Sequence, residues 1–340
     1  MKTILITGNG FNYMINEWIN NLSNEKISEL DLGSKDEIKQ EIREITILWQ
    51  KFNDIFTEIK KNLPQLSEEE LIRLIYSVIE LFSNLPGLEK IFDPEKIEDL
   101  KNLFDSFLLD KIREIAEEFR NHHESTGYKN LKKIFPSFGK KFNNLIDSKH
   151  TEFFNIFTTN YDGLLDTLLT GDPRGFIFHD GFSHLNENLL TISEENINFD
   201  KLICHIHGSY LYKREFGYTY KLKNNLINSE PIMVFNNPDF KEQIINRDNV
   251  LARYYHILLE SLKVADNLII LGNSMKNEPH LKKIISKYAN RSNLNLYVCS
   301  TNPQKIADEL TKYYSHEINL VDTKAFINED EFLSFIERVI

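Results

Sequence analysis

The sequence predicts an α/β protein, a doubly wound and mainly parallel sheet with a large helical insertion, and three observations predict it. Beyond residue 150, short apolar runs ending in glycine, asparagine or histidine alternate with segments of helical period. Strands covered by helices on both faces read as continuous apolar runs, so this alternation points to crossover units in a parallel sheet. A run of the same kind, Thr3-Ile-Leu-Ile-Thr7, opens the chain, while residues 34–148 carry helical periodicity.

Taken in order, residues 3–7 run into Gly8-Asn9-Gly10 and residues 11–22 follow with helical spacing. That is a buried strand, a tight turn and a helix. In residues 34–148 the apolar positions repeat at three and four, as at Ile38, Ile42, Ile45, Leu48 and Phe52. Ser67-Glu68-Glu69-Glu70 opens one helix there as a capping box, and Asp93-Pro94-Glu95 opens another with an N-cap and a first-turn proline. Strands return at residues 153–159, 202–207, 232–235, 267–271, 294–299 and 318–321, with a short helix at 163–169. Longer helices are expected at 239–264, 278–289, 303–314 and 329–339. This order predicts a Rossmann-like sheet. Because the first strand belongs to it, residues 1–33 and 149–340 are expected to form one nucleotide-binding domain, with residues 34–148 inserted as a bundle for association or gating.

At 340 residues and 41% hydrophobic the chain can bury a large core. A net charge of −11, with the two signs interspersed, gives no general attraction to nucleic acid or an anionic membrane, and neither is expected as a partner. Cys204 and Cys299 are the only cysteines, each in an apolar stretch. They allow neither a disulfide framework nor a four-cysteine zinc site, and a reducing cytoplasm is the expected location. The opening apolar run is too short for a signal-peptide core or a membrane span.

Open parallel sheets bind ligands outside the carboxyl ends of their strands, where strand order reverses. The residues to weigh are therefore those just after each strand. Gly8-Asn9-Gly10 before a helix brings backbone close to a phosphate and offers free N–H groups, although the third glycine of the dinucleotide fingerprint is missing. In Thr158-Thr159-Asn160-Tyr161-Asp162, Asn160 and Asp162 lie two apart at a strand end and can face one ligand; an Asx turn capping the next helix needs only one of them. His205 and His207 share a face of their strand, with no carboxylate or cysteine beside them to complete a metal set, so no metal is expected. His205 reads as a core histidine. His207 is the catalytic candidate, since Gly208 leaves room for a substrate beside the imidazole. Phe178-His179-Asp180-Gly181-Phe182 either lines the pocket or closes a loop, and Gly272-Asn273-Ser274 and Ser300-Thr301-Asn302 complete the polar strand ends.

In this order, the Gly8-Asn9-Gly10 turn, Thr158-Thr159-Asn160-Tyr161-Asp162, His207-Gly208 and Gly272-Asn273-Ser274 resemble the sirtuin-like superfamily, whose motifs are a glycine turn, Thr-Gln-Asn-x-Asp, His-Gly and Gly-x-Ser. The resemblance spans roughly residues 1–22 and 153–302. It departs from the deacetylases, which carry a four-cysteine zinc module, and from the family's first turn, where this chain has Asn9 and Asn12 and no Asp-Phe-Arg segment. The chain looks most similar to the bacterial antiphage branch, whose members have a helical insertion and hydrolyse NAD. Its Ile-Thr-Gly-Asn-Gly-Phe and His-Ile-His-Gly segments also resemble the abortive-infection H family.

The resemblance implies NAD as substrate and no metal. It implies that Asp162 holds the nicotinamide carboxamide, Asn160 orients the ribose and a water, and His207 is the base. Gly8, Gly10, Ser274 and Asn302 would hold the phosphates and adenosine half, with Asn9, Phe11, Thr159 and Gly272 in the same binding set. A homo-oligomer or a defence-system partner protein is the implied assembly. Two other readings stay open: a sensor that binds NAD or ADP-ribose without cleaving it, and an assembly protein with a vestigial pocket.

Overall fold

The structure, a computed structural model, describes residues 1–30, 32, 34–48, 56, 61–84, 93–124, 126–169, 178–197, 200–223, 231–235 and 237–340. In chain order the strands are β1 (Lys2–Thr7), β2 (Phe153–Thr158), β3 (Phe182–His184), β4 (Leu189–Ile192), β5 (Ile203–His205), β6 (Gly208–Glu215), β7 (Tyr218–Leu222), β8 (Pro231–Met233), β9 (Asn267–Leu271), β10 (Asn295–Ser300) and β11 (Ile318–Asp322). Six of them pair in parallel in the order β11-β10-β9-β1-β2-β5. The chain runs outward from β1 through β2 to β5, then returns to the other side of β1 and runs outward again from β9 to β11. Strand order thus reverses between β1 and β9, which makes their carboxyl ends the expected ligand crevice.

The continuous apolar character of these strands has a direct cause. Successive side chains point to opposite faces, and both faces are covered. Leu5, Ile156, Ile269, Leu271 and Cys299 join one hydrophobic cluster, while Ile4, Ile6, Phe157, Leu268, Ile270 and Val298 join another.

The helices are α1 (Gly10–Asn20), α2 (Asn24–Glu29), α3 (Lys35–Ile47), α4 (Glu68–Asn84), α5 (Pro94–Glu124), α6 (Thr126–Ile134), α7 (Phe138–Ser148), α8 (Leu164–Leu169), α9 (Glu194–Ile197), α10 (Lys241–Arg247), α11 (Asn249–Val264), α12 (Pro279–Ile284), α13 (Pro303–Leu310) and α14 (Glu329–Val339). Helices α3 to α7 occupy the described part of residues 34–148, where no strand is found; Phe52 lies outside the described residues. Their caps follow the sequence. Ser34 and Glu37 form a reciprocal capping box, Ser67 and Glu70 form another, and the Asp93 carboxylate accepts from the Glu95 N–H. Ile38, Ile42, Ile45, Leu71 and Phe119 share a cluster with Leu5, Phe11, Phe154 and Ile156, so the hydrophobic core is continuous from these helices to one face of the sheet.

Two sequence expectations change. Residues 232–235 do not join the parallel sheet: β8 pairs antiparallel with β6, in a second sheet ordered β3-β4-β7-β6-β8. Its centre is the β6–β7 hairpin, closed by the two-residue turn Phe216-Gly217, both at positive φ (49° and 81°). Such turns match the right-handed twist of the strands they join. The expected helix at 239–264 is likewise broken into a 3₁₀ turn (Pro238–Phe240), α10 and α11. At the last break the buried Asp248 carboxylate accepts from the Val250 and Leu251 N–H groups, both at 3.0 Å, an N-cap in mid-segment.

Candidate active site

A cavity of about 880 Å³ opens at the carboxyl ends of β1, β9, β10 and β11, at the reversal of strand order. Pockets for cofactor-sized ligands fall in this range. Gly10, Gly272, Asn273, Ser274 and Asn302 line it, so the strand-end residues singled out from the sequence converge on it from three separate strand ends. Lys276, Lys305 and Lys324 add cations to its lining and Glu17 and Glu309 add anions. The lysines suit a diphosphate, and the strand-end reading did not find them because they sit beyond the turns.

The glycine turn works differently from the expectation. A Cβ on Gly10 would lie 2.4 Å from the Gly272 Cα, and one on Gly8 2.9 Å from the Asn273 Cα. The two glycine loops are therefore pressed backbone to backbone. The N–H groups are also spent internally: Gly8 donates to Leu271 O, Gly10 to Gly272 O, Phe11 to Gly8 O and Asn12 to Asn9 O. The Gly8 and Gly10 amides, expected to be free for a phosphate, are thus engaged with β9 and the loop after it. The Phe11 ring lies in the core, edge-on to Trp18 and Phe332, and lines no part of the cavity.

Behind the cavity wall runs a buried amide network. Asn273 Nδ2 donates to Thr159 Oγ1 at 3.1 Å, and Thr159 Oγ1 donates to Thr7 O. Asn160 Nδ2 reaches Gly8 O and Asn12 Oδ1, each at 3.3 Å, and Asn12 Nδ2 donates to Asp162 Oδ2 at 2.7 Å. Asp162 also accepts from the Leu164 N–H, the helix-capping role, so both readings of this residue are realised at once. Burial pushes the Asp162 carboxyl up, against the downward pull of these two donors. Asn12, fully buried, is the hub; the sequence had marked it only as a departure from a family pattern. Asn9 links the network to α3: its Oδ1 accepts from Asn12 Nδ2 at 3.3 Å, and its Nδ2 donates to Thr46 O.

The strand carrying the two histidines ends at His205, so His207 sits in the turn that follows and the two do not share a strand face. His205 Nδ1 faces Asn160 O at 3.0 Å and Nε2 faces Asp166 Oδ2 at 2.9 Å. Both acceptors are oxygen, which suits an imidazolium. Burial lowers its pKa, but the Asp166 carboxylate overrides this and raises it; the Asp166 carboxyl, pushed up by burial, is held below its ordinary value by His205 and Lys221. His205 is thus buried as one half of an ion pair.

His207 is 2% exposed. Its Nε2 lies 3.1 Å from His280 Nε2 and 3.4 Å from Glu278 Oε2. Glu278 Oε1 accepts from Lys241 Nζ at 3.1 Å, and Lys241, itself buried, also meets Glu69 of α4 at 2.8 Å. Burial, then the Lys241 charge, then His280 hold the His207 imidazole well below its usual pKa, so it is neutral. Burial and Lys241 bring His280 down to about 3, while burial pushes Glu278 up to about 7 against the Lys241 ammonium. Gly208 leaves no space for a substrate as expected: with φ at 86°, its added Cβ would stand 1.9 Å from Ile232 O. Glycine is required there by the β6–β8 pairing. Asp180, from the polar cluster at residues 178–182, pairs with Lys221, away from the cavity lining.

Asn160 and Asp162 are joined through Asn12, the His207 ring lies 6.5 Å from that of the intervening Tyr161, and none of the three predicted residues lines the cavity. Glu69, Asp166, Lys241, Glu278 and His280 were not legible as site residues. Each sits on a helix or before one, with helical spacing as its only local signal.

Comparison with known proteins adds one match: residues 155–320, from within β2 to within β11, fit the family model of the SIR2-like domain. No curated protein matches the chain. Among the described residues no helix is long and apolar enough to cross a membrane.

Proposed function

Because the chain belongs to the sirtuin-like superfamily through its SIR2-like domain, and so has an NAD-related function, we propose that it is an NAD glycohydrolase releasing nicotinamide and ADP-ribose. The observation that supports this reading is the meeting of Gly10, Gly272, Ser274 and Asn302 at one cavity at the β1–β9 reversal, with Asn160 and Asp162 tied together behind it through Asn12. The adenosine and phosphates occupy the cavity against Gly10, Gly272, Ser274 and Asn302, with Lys305 and Lys324 as counter-charges. The nicotinamide half reaches inward past Asn273 and Thr159.

Nicotinamide leaves as a neutral ring from a pyridinium, so cleavage needs no strong acid. The site has to hold the ribose, stabilise an oxocarbenium-like transition state and place a water. Asn160, fixed by Asn12 and Gly8 O, orients ribose and water. Asp162 receives the carboxamide, and the neutral His207 imidazole takes the proton from a ribose hydroxyl or the water. In this reading residues 34–148 form an inserted unit that gates residues 1–33 and 149–340, and its handles are the Thr46 O contact on Asn9 and the Glu69 contact on Lys241. Its biological role is that of an effector in bacterial antiphage defence, working as a homo-oligomer or with a partner protein.

The test is nicotinamide release from NAD, with Asn160→Ala and His207→Ala each lowering the rate on the order of a hundredfold or more. His205→Ala serves as a structural control: it leaves Asp166 buried without its cation and lowers the melting temperature. Release that survives both catalytic-site substitutions in folded protein overturns the assigned roles. An NAD-dependent rise in melting temperature with no release favours the sensor, and no rise at all favours a vestigial pocket.

A further inference from the structure

We infer that His207, His280 and Glu278 form a binding site for one divalent transition-metal ion of the class that takes imidazole and carboxylate ligands, such as Zn²⁺ or Co²⁺. The three side chains come from the turn after β5 and from the start of α12, about seventy residues apart in sequence, and each can place a ligand atom within 4.8 Å of the others. A tetrahedral ion bonded at about 2.0–2.1 Å spaces its ligands about 3.3 Å apart. The observed spacings are 3.1 Å from His207 Nε2 to His280 Nε2 and 3.4 Å from His207 Nε2 to Glu278 Oε2, with 3.7 Å from Glu278 Oε2 to the other nitrogen of His280. One imidazole gives an ion only one of its nitrogens, so with His280 binding through Nε2 the first two spacings are edges of the coordination polyhedron, and the third is a contact of the ring's other nitrogen.

Hydrogen bonding alone satisfies the cluster poorly. Two Nε2 atoms facing each other allow one donor and one acceptor, and Glu278 Oε2 and His280 Nδ1 have no hydrogen-bond partner although both are buried. Such orphaned polar atoms are costly unless something else engages them. Charge points the same way. Glu69 and Glu278 flank a single ammonium, Lys241, so the buried group carries one more carboxylate than cation. Lys241 contacts only Oε1 of Glu278, leaving Oε2 toward the imidazoles. Three protein ligands leave a fourth position open, the pattern of sites that keep a place for water or substrate. Glu278, at 9% exposed, is the member closest to solvent and marks the entry side, while the histidines are at 2%. A neutral imidazole has one basic lone pair, so an ion bound at His207 excludes the base role proposed for it; binding of the ion is read without NAD.

The experiment uses the full chain without an affinity tag, stripped with chelator and titrated with Co²⁺. The expected result is one equivalent bound with the intense visible absorption of a tetrahedral ion, displaced by Zn²⁺. His280→Ala and Glu278→Gln are each expected to weaken binding on the order of a hundredfold, whereas His256→Ala, an exposed histidine, leaves it unchanged. Melting curves recorded without metal establish that each variant is folded. Absence of a stoichiometric Co²⁺ spectrum in the wild-type protein overturns the inference, as does binding that is equally tight in folded His280→Ala and Glu278→Gln.

Discussion

Replacing Gly10 by alanine sets two physical effects against each other. Gly10 is the first residue of α1, and helix propensity by itself favours alanine over glycine by up to about 1 kcal/mol. The new methyl carbon, however, would stand 2.4 Å from the Gly272 Cα and 2.9 Å from the Gly272 O. Both obstacles are backbone, held by the Gly10 N–H to Gly272 O bond at 2.9 Å and by the parallel pairing of β1 with β9, so no side chain can turn away to make room. Overpacking costs about 1–3 kcal/mol even where side chains can adjust, so a net loss of about 3 kcal/mol is expected here. With an unfolding entropy of about 2.1 cal/mol/K per residue, 1 kcal/mol corresponds to roughly 1.4 °C in a chain of this length, and the melting temperature should fall by about 4 °C. Calorimetry on the wild type and Gly10→Ala measures it. A melting temperature equal to or above that of the wild type would refute the claim that this glycine serves backbone packing between the two loops.

Two further outcomes follow from buried groups. The Asp166–His205 pair contributes to stability where both partners are charged: the lowered Asp166 pKa gives stability present above about pH 4 and lost as pH falls through its folded value, and the raised His205 pKa gives stability present below about pH 6.5 and lost as pH rises through its folded value. Asp166→Asn should therefore destabilise most between about pH 4 and 6.5, by on the order of 3 kcal/mol, and urea melts across pH 3–9 that show a flat difference would contradict the ion pair. Cys204 and Cys299 are fully buried, and burial pushes both thiols up, so a thiol reagent should label neither in native protein at neutral pH and both in denaturant. Rapid labelling of the native chain would contradict their placement.

The parallel sheet was legible because its strands are covered on both faces and so appear as unbroken apolar runs, each ending where the backbone must turn. The polar residues after those runs were legible for the same reason, and Gly10, Gly272, Ser274 and Asn302 do meet at one cavity. The second sheet was not. Its β6–β7 hairpin mixes buried residues with half-buried polar ones and turns through Phe216-Gly217, without the asparagine-glycine or aspartate-glycine pair that announces such a turn.

Sequence alone determined the parallel sheet and the strand-end positions from which a ligand can be touched, because both depend on local periodicity and turn chemistry. Tertiary structure decided what those residues touch. It gave the glycine turn a backbone-packing role and tied Asn160 to Asp162 through Asn12. It also made His205 an ion-pair partner of Asp166 and set His207 against His280 and Glu278. Those partners lie on separate elements, and their distances and charges exist only once burial removes water from between them.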